Sequence, residues 1–262
     1  LTDVMVTGQT AVAIDVAEEL NAALIPFGIV VVGLSFILLM VVFRSIAVPV
    51  TATLGYLLSL GAGMGAVGAV FGWGWAADLL AVSKVGAVIS FLPVIVMGVL
   101  FGLAMDYQVF LVSRMREEWT RRRGDATHAA RREAAAAAVE TGFLGSAKVV
   151  VAAAVIMTGV FMAFVHTDNV YVKPIALGLT VGIAADAFLV RMTLIPALMV
   201  ALGEKAWWLP AWLDRLLPVV DVEGEGLEQA LEQEEADAGQ SVRSETDSVD
   251  DQAEDMEAAV VS

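Results

Sequence analysis

Four stretches of this 262-residue chain, residues 24–43, 45–77, 85–105 and 149–165, contain no Asp, Glu, Lys or Arg. A helix crosses a ~30 Å hydrocarbon core with about 20 apolar residues, and each stretch reaches or approaches that length. Inside lipid every backbone N–H and C=O must find its partner within the protein, so runs like these fold as helices. Composition points the same way. Hydrophobic residues make up 58% of the chain and the mean hydropathy is +0.77, more apolar surface than a soluble domain of this size buries. The chain reads as an all-α integral membrane protein.

Five spans are expected, over residues 25–43, 49–70, 88–112, 147–165 and 174–200. Arg44 closes the first. Trp73 and Trp75, after the second, suit a membrane interface. The charged run after the third span, residues 113–140, reads as a helical loop. It holds Arg114, Arg116, Arg121, Arg122, Arg123, Arg131 and Arg132, and Arg44 falls on the same side. The other side offers only Lys84 and Lys173. The positive-inside rule then places the arginine side and the C-terminus in the cytoplasm and the N-terminus outside, in a multi-pass cell-membrane protein.

The flanks differ from the membrane body. Residues 1–24 read as a short strand ending at Gly8 and a helix capped by Thr10, with Asp15, Glu18 and Glu19 polar on one side. With Leu1 first and no basic n-region or small-residue cleavage site, they look like the end of a longer extracytoplasmic piece. Residues 203–218, with Trp207, Trp208 and Trp212 beside Lys205 and Arg215, suggest an amphipathic segment in the inner interface, and Pro210 argues against unbroken continuation of the fifth span. Residues 221–262 contain 15 acidic residues and one arginine, so nearly all of the net charge of −15 lies there. That composition predicts a disordered acidic tail from about residue 219.

The third span carries the feature that calls for a function. Asp106 lies eight residues, ~12 Å of helix rise, before Arg114, near mid-membrane. Gly98, Gly102 and Asp106 fall at i, i+4 and i+8 and share one face; small residues at this spacing let helices approach closely, so Asp106 is expected on the packed side. Two further Gly pairs, Gly61/Gly65 and Gly68/Gly72, mark the second span for the same reason. No basic residue stands within two turns of Asp106, and no other span offers a centrally placed Lys or Arg. An intramembrane carboxylate without a partner is by default functional, and the reading favoured here is a proton relay with Tyr107 as hydrogen-bonding neighbour. The competing reading is an Asp hydrogen-bonded across the bundle. Gly178, Gly182 and Asp186 repeat the spacing in the fifth span; coincidence in Gly- and Ala-rich helices is the favoured account, with internal duplication the alternative. Asp186 lies five residues before Arg191 and is expected in a structural ion pair or cap near the cytoplasmic edge.

The run "GLAMDYQVFLVSRMREEW" resembles the signature of the MMPL family (mycobacterial membrane protein large) within the resistance–nodulation–division (RND) transporters. "VFRSIAVPVTATLGYLLSLGAGMG", "AAAVIMTGVFMAF" and "LGLTVGIAADAFLVRMTLIPALMVALGEKAWWLP" agree in order, and "VTGQTAVAIDV" resembles the end of the family's second periplasmic porter domain. The resemblance covers roughly residues 4–218. It implies an RND-type half-bundle, the last five of twelve spans, with residues 1–24 as a porter-domain remnant. It also implies that Asp106 and Tyr107 match the tenth-span pair, which faces an equivalent pair on the fourth span outside this sequence. Lys148, at the entry of the fourth span, departs from the pattern but can snorkel to the interface.

The expected function is therefore proton-motive-force-driven export of lipidic or hydrophobic substrates, with no cofactor beyond the proton gradient. The expected partners are the missing N-terminal half or a homologous half, the bilayer and the substrate, not nucleic acid. Alternatives are an RND drug or solute efflux pump, a SecD/SecF-like protein-export subunit and a non-transporting remnant. An enzyme is disfavoured. The chain has no Cys, its two histidines, His128 and His166, are far apart and expected in loops, and there is no nucleotide-binding Gly-rich loop with Lys.

Overall fold

Helix ends are set by where the apolar runs stop and by which residues can turn the chain. The computed structural model describes residues 8–80, 82, 86, 88–122 and 128–214. The chain divides into two units, Leu1–Leu217 and Pro218–Ser262, and every described residue belongs to the first. The strand expected before Gly8 and the acidic tail lie outside the described residues.

Helix α1, Gln9–Phe43, is a single element of 35 residues. At 1.5 Å per residue it is about 52 Å long, well beyond the membrane core, so the polar segment and the first span form one rod. It starts after Gly8, whose φ of 152° only glycine adopts readily. Thr10 is thus inside the first turn and not the N-cap expected of it. Arg44 stops the helix in the left-handed conformation, φ 45° and ψ 46°. The Ser45 hydroxyl accepts the Val48 N–H at 3.3 Å and opens α2, Ala47–Val67, which continues as a π-helical turn, Gly68–Gly72. Trp73 and Trp75 follow, both exposed, their rings 5.8 Å apart.

Helix α3, Leu92–Arg122, begins later than the expected 88–112 span and runs ten residues past it. Glu117 pairs with Arg121 at 2.5 Å and Glu118 with Arg122 at 3.1 Å. Glu placed four residues before Arg supports an exposed helix, so the charged sequel extends α3 instead of ending it. Helix α4, His128–Val165, is 38 residues long, and the expected 147–165 span is its second half. The alanine run before Val139 has the highest helix propensity available. His128 therefore opens a helix and does not lie in a loop; His166 follows the end of α4. The last span is composite: α5, Val172–Ala184, a π-helical stretch, Ala185–Leu194, and α6, Ile195–Leu202. A 3₁₀ strap, Gly203–Trp207, and a short helix α7, Ala211–Asp214, close the described chain. The segment expected to lie wholly in the interface is thus divided. Ala206 is fully buried and Trp207 packs inward, while Trp208 and Trp212 are exposed.

The buried core runs along α2, α3 and α5–α6. One cluster joins Tyr56, Val67, Val96, Leu100 and Ile183; another joins Phe43, Val48, Leu111, Met115 and Ile195. Outward faces stay apolar. Ile25, Ile29, Leu34, Leu144 and Ile156 are all more than half exposed, a pattern that water would not tolerate but lipid does. Five helices of the described residues are long and apolar enough to cross a membrane.

Close approach of α2 to α5 rests on glycine. A Cβ at Gly63 would lie 2.5 Å from the Gly178 carbonyl oxygen and 3.3 Å from Gly182 Cα, while one at Gly182 would lie 2.6 Å from Leu100 Cδ1 of α3. The pairs expected to pack, Gly61/Gly65 and Gly68/Gly72, instead face open space. A second tight crossing sets α4 on α3, where a Cβ at Gly142 would lie 2.7 Å from Met115 Cα.

Candidate functional site

Residues five apart do not share a face of an α-helix, but a π-helix bonds i to i+5 and brings them together. The stretch Ala185–Leu194 does this for Asp186 and Arg191. Arg191 Nε donates to Asp186 Oδ2 at 2.5 Å, with the two side chains 2% and 11% exposed. The other carboxylate oxygen, Oδ1, accepts the Ser59 hydroxyl of α2 at 3.2 Å. Asp186 is therefore in the structural ion pair expected of it, but buried in the core and not at an edge.

Arg191 reaches further. Its Nη2 donates to the Ala104 carbonyl of α3 at 2.5 Å, and its guanidinium lies 5.5 Å from the Tyr107 ring centroid. A buried arginine thus stands at the depth of the Asp106–Tyr107 pair. The sequence offered no central cation because Arg191, read on an ideal α-helix, belongs at the cytoplasmic end. Long side chains reach several ångströms beyond their own Cα, and the π-helical turn points this one inward. Arg191 Nη1 is buried and has no hydrogen-bond partner among the described residues. A small, mostly apolar pocket beside it is lined by Leu100, Leu103, Tyr107, Val150 and Asp186.

Asp106 points elsewhere. The buried stripe of α3 is Val96, Leu100, Ala104, Gln108 and Leu111. Gly98, Gly102 and Asp106 are each offset by two residues from that stripe, about 200° around the helix. Gly102 and Asp106 are exposed, and a Cβ at Gly102 would meet nothing within 4 Å. Half-buried Gly98 borders α1, its would-be Cβ 4.0 Å from the Phe27 ring, but from Gly102 to Asp106 the face does not pack among the described residues, contrary to expectation. Among the described residues Asp106 meets no hydrogen-bond donor or cation. Tyr107, about 100° further round, is half-buried and turns toward Arg191. The fold brings together Tyr107, Arg191, Asp186 and Ser59, and leaves Asp106 on the open side of the same turn. Ser59 and the Ala104 carbonyl were not singled out from sequence. A hydroxyl in a charge-free span was the available signal for the first; a backbone acceptor leaves none.

The sequence model described as MMPL family matches residues 2–218. The chain is 42% identical over 232 residues to membrane protein YdfJ of Bacillus subtilis (strain 168), covering 88% of this chain and 31% of that protein. It is 35% identical over 218 residues to the mycolic acid-containing lipids exporter MmpL11 of Mycolicibacterium smegmatis, covering 83% of this chain and 22% of that protein. It is also 35% identical over 213 residues to the trehalose monomycolate exporter MmpL3 of Mycobacterium tuberculosis, covering 81% and 21%. The chain spans less than a third of the length of these curated relatives.

Proposed function

The chain belongs to the MMPL family of RND-type membrane transporters, and from that premise we propose that it works as part of a proton-driven exporter of lipidic or hydrophobic substrates. The relatives named above are exporters or membrane proteins, not enzymes, and two are named for lipid cargo. The observation that carries the proton step is the division of labour on one turn of α3. Asp106 is exposed and without a partner among the described residues, whereas its neighbour Tyr107 is held under a buried guanidinium.

In this reading Asp106 takes a proton from the outer side and releases it to the cytoplasm. Tyr107 orients the carboxyl and extends its hydrogen-bond path. Arg191 is a fixed positive charge that fixes the tyrosine ring, and Asp186 keeps that charge balanced in low dielectric. The open Gly102–Asp106 face is the surface against which the other half of the transporter packs, and neutralising Asp106 changes that packing.

The test is reconstitution of the full-length protein with a fluorescent lipid substrate and an imposed proton gradient. Asp106→Asn is expected to abolish gradient-dependent movement. Undiminished coupling in that variant would remove Asp106 from the proton path.

A further inference from the structure

Ten residues, ~15 Å, beyond Asp106, α3 carries a cluster that proton relay does not use. Arg116 Nη1 donates to the Phe43 carbonyl, the last residue of α1. The final carbonyls of a helix have no partner within it, so a cation there both completes a hydrogen bond and meets the negative end of the helix dipole. The same guanidinium lies 6.0 Å from the ring centroid of Trp207, in the Gly203–Trp207 strap. The strap is held at two other points. Ser45 Oγ donates to the Ala206 carbonyl at 2.5 Å, and Arg131 of α4 lies 3.6 Å from Glu204. Arg114, Arg121 and Arg122 pair with Glu117 and Glu118 on the exposed side of α3. Arg116 alone of these arginines is seen turned onto α1 and the strap. One residue before it, Met115 is fully buried against the backbone of α4 at Gly142.

We propose that Arg116 is a positioning residue that carries movement of α3 into α1 and the strap. The Met115–Gly142 crossing is too tight to slide, because backbone lies against backbone there. It acts as a fulcrum. A tilt of α3 at Asp106 is delivered on the far side of that fulcrum to Arg116. Its hydrogen bond to Phe43 and its contact with Trp207 then pull the end of α1, a helix continuous with the segment before the first span, together with the strap. What the movement drives rests on the transport reading above; the linkage itself does not.

The test uses the purified full-length protein with spin labels on cysteines placed at the exposed positions Leu38 in α1 and Thr120 in α3. With Arg116 in place the inter-label distance distribution is expected to be narrow, and equally narrow after Asp106→Asn. R116Q and W207L are expected to broaden it, whereas R116K and W207F, which keep the cation or the ring face, retain it. In proteoliposomes R116Q should lower substrate efflux about tenfold or more, since it removes both a charged hydrogen bond and a cation–π contact, and leave Asp106-dependent proton uptake within about twofold. An unbroadened distribution in R116Q, or W207F behaving like W207L, overturns the proposal. If R116Q fails to fold, the W207F and W207L pair decides. A parent protein without gradient-driven efflux defeats the transport reading, while the label distances still decide the linkage.

Discussion

Asp106 and Asp186 share a local spacing, each four residues after a glycine, and have opposite surroundings. Asp186 accepts from Arg191 and Ser59 inside the core; Asp106 meets no donor among the described residues. Removing one member of a buried ion pair leaves the other charge without compensation, at a cost of about 3–5 kcal/mol. Arg191→Ala is accordingly expected to lower unfolding stability in detergent by that order, while Asp106→Asn stays within about 0.5 kcal/mol of the parent, as substitutions at partnerless exposed sites do. Denaturant titration of both variants side by side checks this. Equal losses would mean that Asp106 has a structural partner. Sequence reasoning expected Asp186 in an ion pair or cap, because charges in lipid must be neutralised, without fixing the partner that the structure supplies in Arg191. It did not find Arg191 beside Tyr107, since that contact depends on a π-helical turn and a long side chain crossing between helices.

At the scale of elements, four charge-free runs and the apolar stretch 174–200 marked the five helices of the described residues that are long and apolar enough to cross a membrane, and the boundaries shifted wherever a soluble extension was itself helical. Thus α3 continues through its Glu–Arg pairs to Arg122, and α4 begins nineteen residues before the expected span start, at His128. Which glycines pack was less legible. Gly61, Gly63 and Gly65 lie within little more than one turn, and small-residue spacing alone does not say which face meets α5. The structure selects Gly63, whose would-be Cβ meets a carbonyl oxygen. Gly63→Ala is expected to destabilise by about 1–3 kcal/mol through overpacking. Gly61→Ala, facing open space, should be neutral or stabilise by up to about 1 kcal/mol through helix propensity. Thermal melts of the two variants in the same detergent separate them. The reverse order would mean that α2 is rotated about its axis.

For the molecule as a whole, charge counting predicts the orientation in the membrane. Phe43, Arg116, Arg131 and the strap meet at one end of the bundle, while Lys173 bonds the Leu80 carbonyl at 2.9 Å elsewhere. A cysteine in the 121–123 segment should be protected from an impermeant thiol reagent in intact cells and labelled after permeabilisation. Labelling in intact cells would invert the membrane orientation. The same end carries the strap, so truncation after residue 202 is expected to free the end of α1 as R116Q does, read by the same label pair.

Sequence alone determined the membrane class, the number of spans, the family resemblance and the identity of the two intramembrane carboxylates. Those depend on hydropathy, length and short motifs, which are local properties of the chain. The tertiary structure decided which face of α3 is open, that Arg191 lies over Tyr107, that Gly63 makes the α2–α5 contact, and that Arg116 ties three elements together. Each of these depends on helix rotation and on where a long side chain ends. Burial of a whole bundle sets both, and no single segment carries that information.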